Sequence, residues 1–581
     1  MSKLPGESTS SLIISLIVLL ILCPSGLLFA QSKTDKISSL MDSYCKYRRF
    51  NGAILIAENG DILFQKGYGF ANFEAQVPNS ADTKFRIASI TKSFTAIMVM
   101  QLVEEGRLSL DGKINDYLPE YPAVTGNRIS IHHLLSHTSG IIDYPDVPEN
   151  FDIRERIYHT TDELLDYFAD KDLKFEPGSS YAYSNFGYVL LAVMMEKVSG
   201  LSYEQLLKNR ILIPAGMTSS GVDDNHTVLA GRAQGYHHRF ESDEPVNAPF
   251  IDMSVVIGSG CIYSTAEDIF RFDCALYDET LISAESLQKI LTPVVTQRMQ
   301  YYGYGWDIRQ QPWGTGGEEV SVVGCSGSIN GFRSNYRRIA ADSLCIVVFC
   351  NYKDVSGLNV DISPTNDIVE DIAAILYDRK SAPPLRSAAA ICGRALVNGN
   401  RKDAEDRIRQ IENNQSELII FDEDEFYEVT KWFLRRNMDD LGLITMQVCE
   451  RNTAVSPLHH ARISGLYHIA GQSDLADNSL RRALDKNQWQ DALLNMIGYE
   501  FINLQRMDAA VMIFKRNVDA FPESANAYDS MGEAYMISGK NDLAIESYKK
   551  SLMLNPDNYN ASQMIDHLTK TNGNLCDPGN H

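Results

Sequence analysis

A serine and a lysine three residues apart, Ser89 and Lys92, open the helical run Ser93 to Glu105, which Gly106 ends. On a helix the two side chains share a face, so the lysine amine can reach the serine oxygen. A hydroxyl becomes a nucleophile only when a base takes its proton. A lysine buried deeply enough to lose its charge can be that base. The start of a helix also turns backbone N–H groups toward developing negative charge. The pair therefore suggests acyl transfer at a carbonyl. Spacing alone selects nothing, because Ser43/Lys46, Ser286/Lys289 and Ser547/Lys550 share it.

The surroundings of Ser89 discriminate. Upstream, Ala53-Ile54-Leu55-Ile56 and Ile62-Leu63-Phe64 flank Asn59-Gly60, whose tolerance of positive φ predicts a β-hairpin, and Lys66-Gly67-Tyr68-Gly69 follows. Downstream come Leu134-Leu135-Ser136-His137-Thr138-Ser139-Gly140, Pro177-Gly178 and Tyr183-Ser184-Asn185. Gly258-Ser259-Gly260 then leads to Tyr263-Ser264-Thr265-Ala266-Glu267-Asp268, and Gly324-Cys325-Ser326-Gly327-Ser328 precedes Asn330-Gly331-Phe332. In this order and spacing, residues 50–350 resemble the serine β-lactamase-related family. That family groups class C β-lactamases, low-molecular-weight penicillin-binding proteins, D-amino-acid peptidases and related esterases.

The resemblance implies a role for each motif. Ser89 matches the acylated nucleophile, Lys92 the activating base, and Tyr183 the tyrosine that relays protons to the leaving group and to the deacylating water. Asn185 matches the asparagine that holds the substrate amide, and Cys325, Ser326, Gly327 and Ser328 match the substrate-binding strand. Backbone N–H groups of Ser89 and Ser328 would form the oxyanion hole. His137 is read as structural, satisfying backbone groups at a helix end.

Cys325 departs from the family, which carries lysine or histidine there to place protons and attract a substrate carboxylate. Cysteine cannot carry positive charge. Three readings stay open: a working hydrolase for substrates without an essential carboxylate, a domain that has lost catalysis, or a second, thiol nucleophile. Arg333, eight residues along, is a candidate source of compensating charge.

These residues need a scaffold. Residues 34–380 alternate strand-like and helix-like stretches, with a buried strand expected at Leu344 to Phe349 and helical periodicity from Ile368 to Tyr377. The expected fold class is α/β (α+β): a β-lactamase/transpeptidase-like domain with an antiparallel sheet and a helical subdomain. Pro383-Pro384 ends that unit and suggests that the two halves fold independently. Residues 381–422 read as a helical linker, and 423–570 as an all-α tetratricopeptide-repeat (TPR) solenoid. In the frame 491–524, Leu494, Ile497, Gly498, Phe501, Ala510, Phe514 and Pro522 recur 34 residues later as Tyr528, Met531, Gly532, Tyr535, Ala544, Tyr548 and Pro556. A third copy spans 457–490, with Ser464 in the small position, and a degenerate one spans 423–456. Small residues let two antiparallel helices approach while aromatics fill the space between them.

Composition bounds the rest. The chain has 581 residues, 44% of them hydrophobic, and 75 acidic against 53 basic residues give a net charge of −22. Such a surface repels phosphate backbones, which argues against nucleic-acid binding. Lys3, the apolar run Leu12 to Cys23 and the segment Leu28-Phe29-Ala30 before Gln31 read as a signal peptide over residues 1–30. Export to the periplasm or medium is therefore expected rather than an N-terminal anchor. Nine scattered cysteines remain after Cys23 and make no disulfide framework, and the His133/His137 pair lacks the intervening glutamate of a zincin. No metal or organic cofactor is implied. The expected activity is that of an exported serine hydrolase acting on an amide or ester of a small molecule or peptide, with a protein partner for the repeats. The alternative is a ligand-sensing or scaffold protein with weakened catalysis.

Overall fold

The computed structural model describes residues 32–573 apart from 49, 145–154, 170, 242–243, 298–299, 315, 355–364, 382–383, 400, 414–418 and 486–490. The expected signal peptide lies outside the described residues. Among those described, no helix is long and apolar enough to cross a membrane.

Eight strands form the main sheet: β1 (Gly52–Glu58), β2 (Asp61–Tyr68), β3 (Val295–Gln297), β4 (Gln300–Tyr302), β5 (Asp307–Gln311), β6 (Val320–Ile329), β7 (Phe332–Ile339) and β8 (Leu344–Cys350). Their spatial order is β3-β4-β5-β6-β7-β8-β1-β2, every pair antiparallel. Asn59 and Gly60, at φ 53° and 88°, make the tight turn between β1 and β2. β1 lies between β2 and β8 and is apolar on both faces because both faces are covered. Ala53, Leu55 and Ala57 enter the core shared with the helical subdomain. Ile54 and Ile56 pack on the other side, in the core with Ile37 and Met41 of α1 (Lys33–Ser43) and with Ile368 and Ile372, near the chain end of the domain.

Two helices form the centre of the helical subdomain. α2 (Thr91–Glu104) is buried from Thr91 through Met100. α3 (Asn185–Ser199) is buried from Phe186 through Met195. Its N-terminus is fixed by Ser184, whose hydroxyl accepts the Gly187 N–H, and it ends at Gly200 with φ 75°. A helix buried all round has no free face to slide on, so both are held rigidly where the chemistry needs them. The domain closes with α4 (Thr365–Leu376).

Beyond it the chain is helical: α5 (Ala388–Asn398), α6 (Arg401–Asn413), α7 (Glu423–Leu434), α8 (Asp439–Asn452), α9 (Pro457–Ile469), α10 (Ser473–Asp485), α11 (Asp491–Asn503), α12 (Met507–Ala520), α13 (Ala525–Ile537), α14 (Asn541–Leu554) and α15 (Tyr559–Gly573). The small repeat positions work as close-approach points. A methyl group on Gly498 would fall 2.3 Å from the Phe514 ring, and one on Gly532 would fall 2.8 Å from the Tyr548 ring. Ser464 is buried and turns its hydroxyl back to the Ala461 carbonyl. Arg506, entering α12, bonds Asp439 and the Leu434 carbonyl, tying the α11–α12 pair to the α7–α8 turn. A cavity of about 1110 Å³ opens beside it, lined by Asp439, His468, Asp477 and Met512 among others.

The boundary between the halves, which Pro383-Pro384 marks in the sequence, carries packed contacts. Phe240 of the hydrolase domain is 2% exposed and sits among Ala389, Cys392, Val429 and Trp432. Its ring centroid is 5.1 Å from that of Trp432, and Asn398 donates to the Glu241 carbonyl at 2.7 Å.

Candidate active site

Ser89 lies in a single 3-10 turn, Ala88–Ile90, that runs straight into α2. Ala88 has φ 48°, a left-handed backbone unusual for a residue with a Cβ, and it turns the chain sharply just before Ser89. Lys92 Nζ lies 3.1 Å from Ser89 Oγ. Tyr183 donates its hydroxyl to the same oxygen at 2.8 Å, and Lys92 Nζ is 4.8 Å from the centre of the Tyr183 ring. Residues separated by 94 positions thus meet at one atom.

Lys92 is 1% exposed, and burial pulls its pKa from 10.5 down to about 7, partly opposed by the nearby Asp143 carboxylate. Its amine also donates to Asn185 Oδ1 at 2.7 Å and to the Ser259 carbonyl at 2.8 Å. A neutral amine has two N–H bonds and one lone pair. With both N–H groups taken by Asn185 and Ser259, the lone pair is left for Ser89. Tyr183 keeps 37% of its surface open, yet the packing around its phenol still raises its pKa, an effect the hydrogen bond to Ser89 reduces.

β6 supplies the wall opposite. Only Val320–Gly324 pairs with β5, so the stretch Cys325–Ile329 has an open edge on that side. The two-residue turn Asn330-Gly331 makes Ile329 and Phe332 a hydrogen-bonded pair. Bonded pairs alternate, so Ser326 and Ser328 turn their N–H and C=O groups away from β7 and toward that edge. Gly327 is where strand and nucleophile turn touch. A methyl group there would lie 2.3 Å from the Ile87 carbonyl oxygen and 2.9 Å from the Ser89 nitrogen. Ser334, paired with Gly327, clamps the contact by donating to the same Ile87 carbonyl at 2.7 Å.

Cys325 is placed differently from Ser326 and Ser328. Its side chain is 5% exposed, inside the core, with Sγ 3.7 Å from Ser93 Oγ, one helical turn below Ser89. Burial pushes the thiol up to about 12, so it stays protonated. That removes the footing of the thiol-nucleophile reading. Arg333 cannot stand in for the missing base either. Cys325 pairs with Tyr336, and strand alternation puts Arg333 on the opposite face of the sheet.

His137 accepts the Ser184 N–H on Nδ1 at 3.1 Å, so its own proton sits on Nε2, 3.1 Å from the Tyr302 hydroxyl. The Ala182 N–H bonds its carbonyl at 3.0 Å. The histidine therefore anchors the Tyr183-Ser184-Asn185 segment from both sides. Burial, aided by Lys92, holds its pKa well below the usual 6.5. Two partners had no role assigned from the sequence. Asp143 accepts the Asn185 N–H at 2.9 Å and the Asn185 Nδ2 at 2.8 Å, which orients Asn185 Oδ1 toward Lys92. Ser259 acts through its carbonyl, which no residue type encodes. Asp143 lies three residues past Gly140, and no spacing rule ties a lone carboxylate there to Asn185. Among the described residues, no group of three or more His, Cys, Asp or Glu side chains is arranged to hold a metal.

The beta-lactamase family model matches residues 34–361, and a tetratricopeptide-repeat model matches residues 525–558. Penicillin-binding protein 4* of Bacillus subtilis is 32% identical over 317 residues, 52% of this chain and 68% of that protein. A D-aminopeptidase of Gluconobacter oxydans is 27% identical over 312 residues, 52% of this chain and 55% of the relative. The crystal structure of a penicillin binding protein from Bacillus halodurans superposes with a TM-score of 0.50 at 31% identity, covering 58% of this chain and 98% of that one. With a family match over more than half its length, on an antiparallel sheet flanked by helices, this chain belongs to the beta-lactamase family and is a serine hydrolase of the β-lactamase and penicillin-binding-protein type, followed by a tetratricopeptide-repeat region.

Proposed function

We propose that the protein is an exported hydrolase that cleaves an amide or ester bond in two steps through an acyl-enzyme on Ser89. The observation that carries this reading is the buried Lys92 amine, its pKa drawn down to about 7, 3.1 Å from Ser89 Oγ, with Tyr183 on the other side at 2.8 Å. In the first step Lys92 takes the Ser89 proton as Oγ attacks the carbonyl carbon. The negative charge that develops on the carbonyl oxygen falls between the N–H groups of Ser89 and Ser328. Tyr183 passes its proton to the leaving amine or alcohol and is reprotonated from Lys92. In the second step water attacks the acyl-enzyme, its proton leaving by the same route. Asn185 and Ser326 orient the substrate, and Asp143 and His137 are positioning residues for the Tyr183-Ser184-Asn185 segment. The D-aminopeptidase and penicillin-binding-protein names of the relatives favour a peptide-like amide as the natural bond. The repeats would present a protein partner to the enzyme.

Intact-protein mass spectrometry after incubation with a penicillin or an activated ester tests the proposal. An adduct that maps to Ser89 and disappears in Ser89→Ala is the expected result. An adduct confined to Cys325 would overturn it. Export is tested separately, by the N-terminal residue of the mature protein in the fractionated host, expected at Gln31.

A further inference from the structure

We infer that Arg86 and Arg232 form a subsite for a carboxylate of the substrate, at the Ser328 end of β6 and away from Cys325. This rests on the reading of Ser89 as the nucleophile. A cavity of about 290 Å³ is lined by Arg86, Arg232, Asn225, Phe250, Asn330 and Phe332 among others, with no carboxylate residue among the described lining residues. Ser89 and Ser328 are not among its lining residues, but two short chain segments lead from it to the reaction centre. Arg86 precedes Ser89 by three residues, so their Cα atoms are at most about 11 Å apart. Asn330 follows Ser328 by two.

The charge count makes the cavity unusual. Arg86 Nε donates to Asp223 Oδ2 at 2.6 Å, and Arg232 Nη1 donates to Asp223 Oδ1. Asp223 is 1% exposed on its side chain, so this one carboxylate is fully committed between two guanidiniums. Two positive groups against one negative leave a net +1, in a chain whose total is −22. The terminal nitrogens of Arg86, and Nε and Nη2 of Arg232, have no hydrogen-bond partner among the described residues. Their side chains retain 12% and 27% exposure. A planar donor fork with free N–H groups in a partly desolvated cleft matches a carboxylate.

The walls are fixed rather than loose. The Gly331 N–H bonds His237 Nε2 at 3.1 Å, and Asn330 Nδ2 bonds the Pro249 carbonyl at 3.2 Å. A methyl group on Gly331 would come 2.5 Å from the Gly235 Cα, so the hairpin tip is seated against the segment that follows Arg232. Phe250, 53% exposed, is free to cover the apolar stem of a bound acid. Cys325 carries no charge in the middle of β6, and this cationic site lies beyond the end of that strand, at the Asn330-Gly331 turn.

Kinetics on a matched pair of esters test the subsite: the para-nitrophenyl half-ester of glutaric acid and para-nitrophenyl pentanoate, with full-length protein at low salt. The wild type should favour the half-ester in kcat/KM, through KM, and added sodium chloride should erode the preference. Arg232→Gln, which leaves the Arg86–Asp223 pair, should lower the ratio of the two kcat/KM values about tenfold or more. Arg232→Lys should restore part of it. No preference in the wild type, or an equal loss on both esters, would overturn the subsite. If neither ester shows Ser89-dependent turnover, the nucleophile assignment fails, but calorimetric titration with glutarate still reads the cavity. Binding that Arg232→Gln abolishes supports the subsite, and no binding overturns it.

Discussion

The acid limb of the pH–rate profile is the most direct consequence of the site geometry. Lys92 has to be neutral to take the Ser89 proton, and burial moves its pKa from 10.5 to about 7. A lysine of ordinary pKa would be neutral in less than about one molecule in a thousand at pH 7. With a value near 7, roughly a tenth of the enzyme is competent at pH 6 and about nine tenths at pH 8. kcat/KM for an activated ester should therefore rise roughly tenfold between those two values and level off above them. Asp143→Asn supplies the sign test. The Asp143 charge favours protonated Lys92, so its removal should move the limb to lower pH, while the plateau falls because Asn185 loses an acceptor for its Nδ2. His137 has an ordinary pKa in this range, but it is held well below it and is already neutral throughout. The assay is stopped-flow release of para-nitrophenol, with Ser89→Ala as background. A limb that stays in place or moves up in Asp143→Asn would refute the assignment of the limb to Lys92.

Three further outcomes follow from packing. Gly327→Ala places a methyl group 2.3 Å from the Ile87 carbonyl oxygen and 2.9 Å from the Ser89 nitrogen, so acylation should slow by about a hundredfold or more while circular dichroism stays native; a near-normal rate would mean that β6 and the nucleophile turn need not touch. Cys325→Ser should retain acylation within about threefold, as expected for a buried group outside the reaction, and native Cys325 should resist iodoacetamide; labelling of that thiol at neutral pH would contradict its burial. Truncation after Asp378 uncovers Phe240, so the shortened chain should aggregate unless Phe240→Ser is introduced, and the double change should still turn over the small ester. Equal solubility with and without that substitution would show that the Phe240–Trp432 contact contributes little.

Short-range and periodic features are legible in the sequence. The Asn59-Gly60 hairpin, the helix after Ser89 and the 34-residue period follow from turn chemistry, side-chain spacing and close-packing rules that act within one or two turns of chain. The family resemblance carried by the motifs also implied Ser89, Lys92, Tyr183 and Asn185 as one candidate set. Tertiary structure decided what depends on contacts between distant segments. The depressed pKa of Lys92 needs the desolvation supplied by α2, α3 and the Gly258-Ser259-Gly260 turn together. The role of Asp143 appears only when the 140s meet the start of α3. Cys325 is next to the substrate strand in sequence, yet pleat alternation turns its thiol into the core and sends Arg333 to the other face. The shared Asp223 between Arg86 and Arg232 joins residues up to 137 positions apart. A linear chain carries residue types and local periods; which charges lose their water, and which face a side chain takes, is settled only when the sheet closes over the helices.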